Sequence, residues 1–170
     1  NDSAVLNRTR GNTVVSGTSQ NQGALQIGRA ATGTVIMNGG TINVASTDLG
    51  RGVNNTSTQN GTLTIKTGAT YNNEGDFRMA FAGGASGQAT LNLQGGTLNI
   101  GTTTARTMAV GTFDGSQATV TIDSGDLNLN TNSSIRLNTS GNTGAKVVNL
   151  NGGAITSFSD NKTTANGSGV

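Results

Sequence analysis

Eight carboxylates and ten basic side chains make up the charged chemistry of this chain, which contains no histidine and no cysteine. Without imidazole there is no serine–histidine triad, no histidine metal site and no general base of the usual kind. Without thiols, disulfides and thiolate metal sites are excluded. The nearest carboxylate pair is Asp123 and Asp126, flanking Ser124–Gly125, with Arg136 and Lys146 as candidate cationic neighbours. Acids beside Lys and Arg are the working groups of polysaccharide-cleaving β-helices. Turn chemistry explains the two aspartates more simply, because Asp bonds its own backbone and favours corners, and no acid–base set is specified. No nucleophile elbow, phosphate-binding loop, dinucleotide fingerprint or calcium-binding GGxGxD repeat occurs. The expectation is therefore no catalytic residue, no cofactor, no metal and no enzymatic activity.

Binding chemistry has three further candidates. An arginine recurs at Arg29, Arg51, Arg78, Arg106 and Arg136. It reads either as a basic edge for an acidic polysaccharide or a partner rod, or as a solvated face whose charge prevents lateral sheet association; the second is preferred. Threonines recur on alternate positions: Thr34 with Ile36, Thr62 with Thr64, Thr90 with Asn92, Thr119 with Thr121, and Val147 with Asn149. Complete rows of this kind resemble ice-binding surfaces, but Ile36, Val147 and the asparagines break the lattice, and Thr suits an exposed strand anyway. Asn43, Asn99 and Asn128 form an outward column suited to amide hydrogen bonds along a parallel ladder. Tyr71 interrupts that column as a lone exposed aromatic, too little for a sugar-stacking platform.

All of these positions are set by a repeat of about 28 residues. A strand–glycine turn–strand unit recurs as VIMNGGTINV (35–44), LTIKTGATYN (63–72), LNLQGGTLNI (91–100), VTIDSGDLNL (120–129) and VNLNGGAITS (148–157). The turn glycines Gly40, Gly68, Gly96, Gly125 and Gly153 are 28, 28, 29 and 28 residues apart. The first strand of each unit alternates inward aliphatics: Val35 and Met37, Leu63 and Ile65, Leu91 and Leu93, Val120 and Ile122, Val148 and Leu150. That period of two is the strand signature. A second alternation follows the turn at Ile42 and Val44, Leu98 and Ile100, Leu127 and Leu129. Aligned on Gly68, the second unit puts Thr70 and Asn72 inward, which predicts a weak core there. A third short run separates units: LQIG (25–28), DLGRG (48–52), RMAFAGG (78–84), TMAVG (107–111) and SIRLN (134–138).

Three strands and three corners per unit predict an all-β, right-handed parallel β-solenoid (β-helix) with three short strands per coil. Roughly six coils at the usual strand separation would make a rod about 30 Å long. Residues 1–158 form one solenoid domain, with 1–28 as a degenerate first coil and 159–170 as a polar tail. Asn54–Asn60 and Gly111–Gln117 read as corner insertions. Aromatics are only 3% of the chain and charged residues 11%, so the core must be thin and aliphatic. The absence of proline fits strands paired on both edges. A net charge of +2 without a basic block gives no nucleic-acid surface, and no apolar run is long enough for a membrane span or a signal peptide.

LGRG (49–52) or AVG (109–111), followed by GTVIMNGG (33–40) or QATLNLQGG (88–96) and then TINV or TLNI, resembles the β-strand repeats of autotransporter passengers and related surface proteins of Gram-negative bacteria. The resemblance spans roughly residues 25–157. It implies secretion to the cell surface, a right-handed β-solenoid, and a role in adhesion or as a stalk. No catalytic motif carries over, and the membrane-barrel segment of an entire autotransporter has no counterpart. No amphipathic helix or long cap is seen at either end, where a solenoid otherwise exposes open strand edges. Two expectations follow: the chain belongs to a longer solenoid of flanking coils, or copies stack head to tail into a fibre. The functional expectation is a structural, extracellular surface fibre or stalk, adhesive in character. Its alternatives are a polysaccharide-binding or polysaccharide-cleaving β-helix and, further off, an ice-binding protein. The expected partners are self or a flanking solenoid, with a surface glycan as a further candidate.

Overall fold

The structure is a computed structural model, and it describes residues 3–15, 24–29, 31–51, 59–81, 87–112, 115–130, 132–137 and 144–157. The chain opens with β1 (Ser3–Arg8), β2 (Asn12–Val15) and β3 (Ala24–Ile27). The same trio recurs as β4 (Thr32–Met37), β5 (Gly40–Val44) and β6 (Ser46–Leu49), then as β7 (Gln59–Lys66), β8 (Ala69–Asn73) and β9 (Phe77–Met79). In β10 (Gly87–Ile100) the first two members fuse across their corner, and β11 (Thr107–Val110) follows. β12 (Gln117–Leu129) and β13 (Ser134–Leu137) repeat that arrangement, and β14 (Lys146–Leu150) and β15 (Ala154–Ser157) complete the described strands.

Every pairing joins strands one unit apart, and every pairing is parallel. The first ladder runs β1–β4–β7–β10–β12–β14, the second β2–β5–β8–β10–β12–β15, and the third β3–β6–β9–β11–β13. Val35 pairs with Leu63, Leu63 with Leu91, Leu91 with Val120, and Val120 with Val148, which holds the unit at 28 or 29 residues. The fold is thus an all-β parallel β-solenoid with no helix among the described residues. Alternation explains the register. A slip of one residue would turn each aliphatic outward, so burial selects a single alignment. Val35, Met37, Leu63, Ile65, Leu91, Leu93, Val120 and Ile122 all point into the core and are at most 5% exposed.

The third ladder closes the coil. Thr47 with Leu49, Phe77 with Met79, and Met108 with Val110 line its inner side. The chain then leaves β3, β6, β9 and β11 through a left-handed residue: Gly28 (φ +75°), Gly50 (φ +68°), Ala80 (φ +49°) and Gly111 (φ +71°). These residues stack, with the N–H of Gly50 bonded to the Ile27 carbonyl, that of Ala80 to Leu49, and that of Gly111 to Met79. A side chain at Gly50 would put its Cβ 2.0 Å from the Gln88 carbonyl oxygen, so only glycine fits there. Ala80 keeps the conformation at a cost of about 1 kcal/mol.

Two sequence expectations need correction. The residue equivalent to Gly40 in the second unit is Ala69, not Gly68, because Gly40 pairs with Ala69 and Thr97 with Thr70. Alignment on the visible glycine is therefore off by one, and one residue inverts the strand. Tyr71 and Asn73 point inward, whereas Thr70 and Asn72 point outward. The core is not weak there; Tyr71 is fully buried, with its ring edge-on to Phe77 at 6.3 Å. The expected corner insertion Asn54–Asn60 also ends earlier, since Gln59 and Asn60 already pair with Gly87 and Gln88 in β7. The proposed polar tail 159–170 lies outside the described residues.

Candidate functional site: a polar flank, an internal hydroxyl cluster and bare apolar rungs

The outward side of the third ladder carries Asp48, Arg78 and Arg136. Its outward column is Gln26, Asp48, Arg78, Ala109 and Arg136, fixed by strand register. Asp48 is completely buried and acts as the hub. Arg78 Nε donates to its Oδ1 at 2.6 Å, Arg51 Nη1 to its Oδ2 at 2.9 Å, and Gln26 Nε2 to Oδ2 at 3.5 Å. Arg29 Nη1 extends the chain to Gln26 Oε1 at 3.1 Å. The Phe81 ring supports both arginines, 4.4 Å from the Arg78 guanidinium carbon and 5.7 Å from that of Arg51. A buried carboxylate is tolerated only when paired and hydrogen-bonded, and here two guanidiniums do that work.

The recurring arginines therefore do not form a free basic edge. Arg29, Arg51 and Arg78 belong to the Asp48 network. Arg106 sits at a corner, where its Nε donates to the Glu74 carbonyl at 2.9 Å and its N–H to Ser133 Oγ at 3.0 Å. Thr102 and Thr103 donate to the Glu74 carboxylate at the same corner. Arg136 is exposed and outside both ion pairs of the described residues. The run DLGRG alone does not reveal Asp48 as the hub. The available signal was an acid placed between inward Thr47 and Leu49, with an arginine one unit later.

The Asp123–Asp126 pair assembles no reactive set. Asp123 accepts a hydrogen bond from Asn151 Nδ2 at 2.8 Å at the exposed corner. Lys146 pairs with Ala118 near the start of β12, and its Nζ donates to the Gly144 carbonyl at 2.7 Å. Arg136 lies on the third ladder instead. Among the described residues no group of His, Cys, Asp or Glu is arranged to hold a metal ion.

The outward threonines do align. Thr34, Thr62, Thr90 and Thr119 form one column, ended by Val147. The corrected register adds a second, Thr41–Thr70–Thr97, ended by Asp126. The neighbouring column remains mixed, with Ile36, Thr64, Asn92, Thr121 and Asn149. The asparagine ladder is more regular than expected, because Asn72 fills the place assigned to Tyr71. Asn72 donates to Asn43 at 2.7 Å, Asn99 to Asn72 at 2.7 Å, and Asn128 to Asn99 at 2.9 Å. Each amide satisfies its neighbour along the stack, which is a structural role.

Tyr71 belongs to a hydrogen-bonded cluster inside the coil. Thr47 Oγ1 donates to Asn73 Oδ1 at 2.7 Å, which leaves it to accept from the Tyr71 hydroxyl, also at 2.7 Å. Asn73 Nδ2 donates to the Gly75 carbonyl. Burial pushes the Tyr71 phenol well above its usual range, against a smaller opposing effect of the Thr47 hydrogen bond.

The inward columns reach the surface at both extremes of the described stack. Leu6, paired with Val35, is 48% exposed. Leu150 and Ile155, which stack on Ile122 and Leu127, are 55% and 37% exposed, and Leu137, stacked on Val110, is 41% exposed. These side chains are core residues by position and surface residues by exposure. No known protein family, no curated protein and no solved structure matches this chain.

Proposed function

We propose that this chain is a non-enzymatic structural module, a right-handed solenoid of roughly six coils that lengthens by stacking further rungs onto its bare ones. The observation that carries the reading is the exposure of Leu6, Leu137, Leu150 and Ile155, each a continuation of a buried column. An exposed apolar patch marks an interaction site. Here the occupant follows from continuity: only another rung with the same period of two would cover the aliphatics and extend the ladders in register. A second copy carries such a rung at its opposite extreme, where Leu6 lies. That contact is heterologous and does not close, so repetition gives a filament. The likeness to autotransporter passenger repeats, with the low charge and high Gly content, supports a secreted, cell-surface setting and an adhesive or stalk role.

Concentration-dependent light scattering and electron micrographs of the purified chain test this reading. Rods that lengthen with concentration are expected. Strictly monomeric particles at high concentration would refute stacking between copies.

A further inference from the structure

The outward column of the third ladder changes character along its length. Toward Gln26 it is closed, because Asp48 lies beneath two guanidiniums. Toward Arg136 it opens, because Ala109 stands between Arg78 and Arg136 and fills little of the space between them. The result is a concavity of about 260 Å³ lined by Asp76, Arg78, Thr107, Ala109, Thr112 and Arg136.

Its hydrogen-bonding capacity is unbalanced. Arg78 uses Nε on Asp48, while its Nη2 is buried and has no hydrogen-bond partner among the described residues. A buried donor without a partner is costly and calls for an acceptor. Arg136 is exposed and lies outside the Asp48 network. Among the described residues that line the groove Asp76 is the one acid, against two guanidiniums. Asp48 neutralises part of the Arg78 charge, so Arg136 supplies most of the attraction and Arg78 mainly a directed N–H. Guanidiniums recognise carboxylates through paired, charge-assisted hydrogen bonds. The two arginines stand two rungs apart, roughly 10 Å between backbones at the usual strand separation. That spacing suits charges carried along an extended polymer better than one compact ion, and the threonine hydroxyls suit sugar oxygens.

We propose that this groove binds an acidic polysaccharide, with Arg136 and Arg78 receiving carboxylates of its uronic acid units. The site faces sideways from the ladder and does not depend on copies stacking along the axis. A monomeric protein that binds the glycan would remove the fibre and leave this proposal standing.

Titration calorimetry of the whole chain at low salt, with an oligogalacturonate as ligand, tests it. Binding is expected, weakened by added salt, with no heat from a neutral oligosaccharide of equal length. Arg136→Gln should weaken binding about tenfold or more, as expected for loss of a charged hydrogen bond. Arg136 has no structural partner in the Asp48 network, so the variant should melt like the parent. Ala109→Glu places a carboxylate between the two arginines and should abolish binding while leaving the fold intact. Absence of binding, or affinity unchanged in both variants, overturns the proposal. So does sulfate binding that matches the oligogalacturonate and displaces it, since the groove would then be a site for small oxyanions.

Discussion

Leu93, Ile122 and Leu150 stand in one column on successive rungs, yet the first two are fully buried and the third is 55% exposed. The second ladder repeats the contrast: Leu98 and Leu127 are buried, and Ile155, next in line, is 37% exposed. Residue type and strand position are the same in both regions. What differs is whether another rung lies on top. Burial in this fold is therefore conferred by the neighbour in the stack, as expected where each repeat contacts only its neighbours. The core has no depth of its own. The same side chain serves as core or as docking surface according to what is stacked upon it.

The largest effect should come from hollowing an interior rung. Leu93→Ala removes a fully buried side chain with neighbours above and below, and should cost about 2–5 kcal/mol in denaturant unfolding. A cost under about 1 kcal/mol would mean that the central rungs are as loosely packed as the last one. Next comes the cluster inside the coil. Thr47→Val leaves the Tyr71 hydroxyl and the Asn73 Oδ1 without their shared partner and should cost about 1–3 kcal/mol. Adding Tyr71→Phe should then cost little more, since the phenol has already lost its acceptor. Additivity of the two in a double-mutant cycle would show that the hydroxyls are not coupled.

Much of this interior was legible in the sequence. The aliphatic pairs from Val35 to Ile122 fall where the period of two places them, and a third strand stands between units. The miss at Tyr71 has a simple cause. Lys66–Thr67–Gly68 turns the corner with Gly68 in the place of the first glycine of the neighbouring pairs, Gly39–Gly40 and Gly95–Gly96, and Ala69 takes the structural place of the second. Matching glycine to glycine therefore reversed the inward and outward faces of β8. Polar residues then seemed to enter the core by default, although Tyr71, Asn73 and Thr47 do so as a hydrogen-bonded set. The groove on the third ladder was illegible for another reason. It depends on a small residue lying between two arginines that stand two rungs apart, with about thirty residues of chain from one rung to the next. The recurring arginines were visible, but the register that sorted them into network, corner and groove was not.

A smaller effect comes from pH, and it contrasts the two regions at one column. Tyr71 is the chain's only tyrosine, so phenolate absorbance reports it alone. Its phenol is raised by burial, so the folded state holds the proton after the unfolded state has lost it. The resulting stabilisation is complete below the ordinary phenol pKa of about 10 and declines above it, by at most about 1.4 kcal/mol per pH unit. Tyr71→Phe should remove that part of the alkaline loss. Ile155→Tyr, in a Tyr71→Phe background, places a phenol in the same column on the bare rung and should titrate near the ordinary value. A matching elevated titration there in dilute monomer would show that the last rung is as dry as the interior.

The smallest effect on stability is also the most informative about assembly. Leu150→Ala repeats the Leu93→Ala change in the same column two rungs along, where more than half of the residue already meets solvent. Full burial of a leucine contributes about 1.5–3 kcal/mol, so losing this partly buried one should cost less than about 1 kcal/mol in the dilute chain. Under stacking, the same residue becomes interior in the polymer, and its removal then carries the interior cost at every junction. Light scattering should accordingly show a critical concentration raised about tenfold or more, since each 1.4 kcal/mol at a junction is a factor of ten. Leu150→Asp should abolish growth, because a buried carboxylate would have no partner there. A variant that leaves both the melting curve and the rod length unchanged would place the growing contact elsewhere. A variant that destabilises the monomer as much as Leu93→Ala does would show that the last rung is already covered within one chain.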